Sequence, residues 1–179
     1  MNISLENIEK FKVPLKEYIS NWIFKDEHNQ LASDTHQDQI FPLSKEASNF
    51  LWNYAMNLGL EVSEKYFKSI TKFNSEFADQ QAIKKYLFNL GIPFDQKVLI
   101  AQQPDTAFVL TWKMVIKYAH NMFFGDQVIR DKAHNWQLEF HHDGQFSFGK
   151  DLIYDGQREI LNTKKKLKSS KENDTKYSN

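Results

Sequence analysis

Trp136 to Gly149 read WQLEFHHDGQFSFG, and this stretch predicts a β-hairpin. Apolar and polar side chains alternate through both halves, as they do in strands that bury one face. A two-residue turn would put the second strand's phenylalanines on the polar face of the first, because a one-residue slip exchanges the faces. A three-residue loop at His142-Asp143-Gly144 pairs Phe140 with Phe146 and places Gly144 where the left-handed conformation is needed. The predicted buried face comprises Trp136, Leu138, Phe140, Phe146 and Phe148.

The opposite side of this hairpin is polar, and we call it the hairpin face. It carries Gln137, Glu139, His141, Gln145 and Ser147. A histidine beside a glutamate is a combination found in metal and acid–base sites, but zinc takes three or four protein ligands. We therefore predict a solvated polar face, which is a candidate contact surface for a protein partner.

The elements that precede the hairpin predict an α+β domain. Ser44 and Gly59 bracket an amphipathic helix, and further helices are predicted after Ser63, Asp79 and Thr111. A short helix is predicted from Pro14 to about Ser20, and strands at 22–24, 98–101 and 127–130, with a turn at 103–105. This order favours one antiparallel sheet that ends in the C-terminal hairpin and is covered by about four helices.

Composition narrows the class of protein. The 179 residues carry 23 basic and 23 acidic side chains, so the formal net charge of zero provides no overall attraction to nucleic acid. The chain has no cysteine, which excludes disulfides, thiolate metal sites and a cysteine nucleophile. The N-terminus lacks the apolar core of a secretory signal, and lysines interrupt the richest apolar stretch, 108–124. We expect a cytoplasmic protein that does not associate with membranes.

The charge is unevenly distributed along the chain. Residues 163–179 contain six lysines and two acidic residues, a net charge of +4, so the remainder carries −4. We predict a single domain over 1–161 and a flexible, disordered lysine-rich tail over 162–179. No aromatic platform or recognition motif accompanies these lysines, so nucleic acid is not the expected partner.

A second candidate surface is the polar segment Lys25–Gln39, which we call the acidic loop. Its acidic residues are Asp26, Glu27, Asp34 and Asp38, and it also holds His28 and His36. The spacing does not match an EF-hand, and no H-E-x-x-H motif is present. We predict a hydrated acidic loop without a metal or cofactor.

No catalytic residue is predicted. His134, His141, His142 and Asp143 cluster in sequence, yet adjacent histidines point in different directions. His120 has apolar neighbours on its predicted helix, which is typical of a residue at the boundary between the core and the solvent. There is no nucleophile elbow and no glycine-rich phosphate loop.

Several segments resemble a known group of proteins. They are PLKEYISNWIF (Pro14–Phe24), IFPLSKEASNFLWN (Ile40–Asn53), the pairs Thr111-Trp112 and Phe123-Phe124, and FGK (Phe148–Lys150). In this order they resemble a family of small uncharacterised proteobacterial proteins, over most of Lys12–Lys150. The family has no assigned activity, so the resemblance implies no site residue.

Two functions remain open at this stage. The first is a non-catalytic protein that binds a basic protein partner through the hairpin face and the acidic loop, as a toxin-neutralising immunity protein does. The alternative is a small metal-dependent hydrolase that uses histidines and carboxylates, which requires at least three ligands to converge.

Overall fold

The computed structural model describes residues 2–75 and 79–153, and it confirms the α+β class. One antiparallel sheet of seven strands has the order β1-β4-β3-β5-β6-β7-β2. The strands are β1 (Ile40–Pro42), β2 (Phe67–Asn74), β3 (Lys97–Gln103), β4 (Thr106–Thr111), β5 (Gln127–Asp131), β6 (Trp136–Phe140) and β7 (Gln145–Leu152). The predicted lysine-rich tail lies outside the described residues.

Helices cover both faces of this sheet. The described α-helices are α1 (Asp34–Gln37), α2 (Lys45–Leu58), α3 (Gln80–Asn89), α4 (Trp112–Lys117) and α5 (Ala119–Met122), and three 3-10 turns precede them at Ile8–Phe11, Leu15–Glu17 and Asn21–Phe24. The larger core joins α3, α4 and α5 to one face, around Phe108, Trp112 and Phe146. The smaller core joins α2 to the other face, around Leu51 and Val109. This second face remains only partly covered.

The hairpin has the predicted register. Phe140 pairs with Phe146 and Leu138 with Phe148, and Gly144 adopts a φ of 90°. The five side chains of the predicted apolar face are all buried. Side-chain parity was sufficient here because the wrong register would have placed phenylalanines on the opposite face.

Helix α2 begins and ends at the capping residues that the sequence predicts. The Ser44 hydroxyl accepts a hydrogen bond from the backbone N–H of Ala47, and Gly59 ends the helix with a φ of 56°. Asp79 caps α3 in the same way, through the N–H of Ala82. The strands predicted at 98–101 and 127–130 are β3 and β5, and a turn at 104–105 connects β3 to β4.

Other elements differ from the prediction. The segment after Ser63 is mainly the edge strand β2, because only one turn forms before the chain pairs with β7. Residues 21–24 form a 3-10 helix, and the helix predicted from Pro14 shortens to the turn Leu15–Glu17. The helix predicted from Thr111 breaks at Tyr118 into α4 and α5. Thr111 is the last residue of β4, and its hydroxyl donates to Gln39 Oε1 at 3.1 Å instead of capping α4.

Across 2–75 and 79–153, no helix has the length and apolar character needed to cross a bilayer.

Candidate functional site

A groove lies on the less covered face of the sheet, and we call it the α2 groove. One wall is the second half of α2 together with the segment 59–63, and the floor is formed by β3, β5 and β6. Its volume is about 720 Å³, within the range of small-molecule pockets. The wall is largely apolar, with Trp52, Met56, Leu60 and Val62, and Met56 is 63% exposed. An exposed methionine in a concave wall is typical of adaptable binding surfaces.

The hairpin face forms part of this groove, but the expectation that all of it is solvated is wrong. Gln137 is 1% exposed and Ser147 is also buried, so their side chains are not available at the surface. Gln137 is buried because the segment after α2 packs on it, and the Nε2 atom of Gln137 donates a hydrogen bond to the Leu60 carbonyl at 2.9 Å. Gln145 is half-buried and His141 is exposed, and His141 lines the groove with Glu139.

Glu139 holds the segment after α2 against the sheet. Its Oε1 accepts hydrogen bonds from the backbone N–H of Val62 at 2.8 Å and from Gln137 Nε2 at 2.7 Å. The side chain is half-buried, so these are charge-assisted bonds in a partly desolvated setting. Glu139 therefore has a structural role in the groove as well as a place on its surface.

Arg130 is the most unusual residue in the groove. It lies on β5 opposite Gln137 of β6, and its side chain lines the groove although the residue is only 6% exposed. Among the described residues, its guanidinium has no hydrogen-bond or ion-pair partner, and Nη1 is fully buried. Burial lowers the pKa of Arg130 to about 10, so the group stays protonated at neutral pH. The groove thus contains a buried cation without a partner.

Some of the residues that line the groove hold buried polar atoms without a hydrogen-bond partner. Within 2–75 and 79–153, buried side-chain atoms without a partner occur in four of them, namely Ser63, Gln102, Gln127 and Arg130. Buried polar atoms in native proteins normally bond to protein, ordered water or a ligand. These atoms can hydrogen-bond with water or with the polar groups of a ligand.

Tyr54 and His134 lie near Arg130 and interact with it electrostatically. The Tyr54 hydroxyl and His134 Nε2 are 2.6 Å apart, and their rings stack with centroids 5.5 Å apart. Burial lowers the pKa of His134, and the charge of Arg130 lowers it further. Burial raises the pKa of the Tyr54 hydroxyl. Both groups are therefore neutral at neutral pH, and neither compensates the charge of Arg130.

The histidines that cluster in sequence do not converge. His134 packs on Tyr54, whereas His142 Nδ1 contacts Asp126 Oδ1 at 2.9 Å at the other end of β5. The hydrogen bond to Asp126 raises the pKa of His142 and lowers that of Asp126. In the described ranges, no group of three histidine or carboxylate side chains is arranged to hold a metal ion.

The acidic loop lies away from the groove. Leu31 and Ala32 pack into the larger core, on the face of the sheet opposite Glu139 and Arg130. Asp26 Oδ1 accepts from the N–H groups of His28 and Gln30, which shapes the turn, and α1 starts at Asp34. Asp26, Glu27, Asp34 and Asp38 are all exposed. The two surfaces that the sequence proposed for a partner are therefore separate.

Comparisons with known proteins add no relative. No family model, no curated protein and no solved structure matches the chain. The resemblance to a proteobacterial family stays a prediction, and the site must be interpreted from its own residues.

Proposed function

We propose that the protein is a non-catalytic binding protein whose contact surface is the α2 groove. The partner is a protein with a basic surface, and the role is of the immunity type, in which a cytoplasmic protein neutralises a toxin. The observation that carries this proposal is the combination of an exposed apolar wall with three carboxylates, Glu61, Asp126 and Glu139, in one groove.

Charge complementarity supports a basic partner. In the part of the chain that the structure describes, the charged side chains that line the groove are those three carboxylates and Arg130, which is buried at the floor. Glu61 and Asp126 are exposed, so a cation from a partner could reach them without desolvating the protein interior. The chain outside residues 163–179 also carries a net charge of −4, which favours encounter with a basic surface.

Charge reversal at two matched positions tests the surface. Glu61→Lys changes an exposed carboxylate of the groove, and Glu27→Lys makes the same change in the acidic loop on the opposite side. Tagged wild type and variants are used to capture proteins from lysate of the source cells, and the partner recovered by the wild type is titrated against each. We expect E61K to weaken this partner's affinity by about fivefold at low salt, with a smaller effect at high salt.

Each outcome assigns a surface. Equal affinity of E61K and wild type would exclude the groove, and weakening by E27K alone would assign the contact to the acidic loop. Stoichiometric metal in protein purified without chelator, together with hydrolytic activity lost on its removal, would replace the binding function with the hydrolase.

A further inference from the structure

We infer that Arg130 is the anchor of a second ligand, a small organic monocarboxylate with an apolar body, which the α2 groove binds. The carboxylate contacts the guanidinium at the floor, and the apolar body packs on the wall formed by Trp52 and Met56. The inference takes only the location of the site from the proposed function, because its ligand is a small molecule.

The buried charge of Arg130 favours a negatively charged ligand. Arg130 is 6% exposed and lacks a partner among the residues that the structure describes. A buried guanidinium without a partner is costly, and an anion that binds beside it removes that cost. The nearby Tyr54 and His134 are both neutral at neutral pH, and Glu139, whose charge raises the pKa of Arg130, forms no ion pair with it among the described residues.

The charges that line the groove favour a monoanion over a dianion. Among the described residues that line the groove, Arg130 is the only lysine or arginine, whereas Glu61, Asp126 and Glu139 are negative. A dianion such as inorganic phosphate would leave a surplus negative charge beside these carboxylates. A monoanion neutralises the one cation, and the planar fork of a guanidinium matches a carboxylate with two parallel hydrogen bonds.

The remainder of the groove suits a ligand with an apolar body. The wall that faces Arg130 is apolar, and a volume of about 720 Å³ has room for more than a carboxylate alone. Ser63 and Gln102 also line the groove and hold buried polar atoms without a partner in the described ranges. The site therefore has one charged anchor, an apolar wall and a small number of polar groups.

The test uses phenylacetate and its neutral analogue phenylacetamide as probes of the full-length protein. Each is titrated into ¹⁵N-labelled protein, and amide shifts of residues in 52–63 and 126–141 are followed. We expect saturable binding of phenylacetate in the millimolar range, and at least about tenfold weaker binding of phenylacetamide. Inorganic phosphate should bind more weakly than phenylacetate.

Variants assign the effect to Arg130. Arg130→Met should weaken phenylacetate at least about tenfold and leave phenylacetamide unchanged. Arg130→Lys keeps the charge without the planar fork and should fall between R130M and the wild type. Lys132→Met, which removes a nearby cation already paired with Glu9, is the matched control and should bind as the wild type does.

Several results would overturn the inference. These are equal binding of the acid and the amide, unchanged phenylacetate binding in R130M, tighter binding of phosphate than of phenylacetate, or no saturable shift with the acid. None of them depends on the protein partner, so a failure here is distinguishable from a null effect of E61K on partner binding.

Discussion

Replacing Arg130 by methionine is expected to stabilise the folded protein. The guanidinium is buried and unpartnered among the described residues, so the cost of removing it from water is not recovered. Burial lowers its pKa to about 10, well below the usual range of arginine, which corresponds to a cost of about 3 kcal/mol at about 1.4 kcal/mol per pKa unit. Methionine is unbranched and apolar and adapts to irregular space. We therefore expect R130M to gain about 1–3 kcal/mol in free energy of unfolding at neutral pH.

Urea unfolding followed by tryptophan fluorescence measures this gain. Thermal unfolding should show a matching rise of roughly 2–4 °C for each kcal/mol in a chain of this size. Lys132→Met is again the control, because Lys132 is half-exposed and pairs with Glu9 at 2.5 Å. Loss of that ion pair should cost about 0.2–1 kcal/mol, so the two cation-to-methionine changes should have opposite signs.

The pH dependence gives an independent test of the cause. Because the folded pKa of Arg130 lies below its unfolded value, the cost is fully present below about pH 10. The cost decreases as the pH rises further, and it is gone once the unfolded chain also loses the proton. The difference in stability between R130M and wild type should therefore narrow above about pH 10. If R130M is less stable than wild type by more than about 1 kcal/mol at neutral pH, the premise that the guanidinium of Arg130 is unpaired is refuted.

Two further changes test other parts of the structure. Gly144→Ala should lower the free energy of unfolding, measured in urea, by roughly 2–4 kcal/mol, because φ is 90° and the new Cβ would contact the Ser75 carbonyl. Gly125→Ala is the control: its new Cβ would meet no atom within 4 Å, so it should change the free energy of unfolding by less than about 1 kcal/mol. Burial lowers the folded pKa of His134, so its contribution to stability is complete above about pH 6.5 and is lost as the pH falls below that value. His134→Asn, which tolerates the φ of 57°, should lose less stability than wild type between about pH 7 and 5, and parallel curves would contradict this.

The sequence was most informative where local rules suffice. Ser44 and Gly59 bound α2 through capping geometry, and the hairpin register follows from alternation across a three-residue loop. Strand β2 could not be recognised in this way. Its spacing of Tyr66, Phe67, Ile70 and Phe73 also fits a helix, and its partner β7 lies some 75 residues later in the chain. Most of this edge strand is exposed, so burial does not impose a clear period of two.

The candidate site depends even more on long-range packing. The strand that contains Arg130 was predicted, but the environment of its side chain is set by α2 and the segment 59–63, far away in sequence. An arginine at the end of the predicted strand 127–130 was the available signal. Its meaning required knowing that β5 lies between β3 and β6, at the floor of a groove.

Glu139 is the groove carboxylate whose charge raises the pKa of Arg130. Both residues line the same groove, yet no ion pair joins them in the described part of the chain. The Oε1 atom of Glu139 already accepts from Val62 and Gln137, which fixes the carboxylate against the segment after α2. A chain under selection for stability alone would pair or replace the buried cation, whereas a binding site retains residues that destabilise the empty protein. The stability gained and the phenylacetate affinity lost in R130M should therefore have one physical origin, and a variant that shows only one of the two effects would separate them.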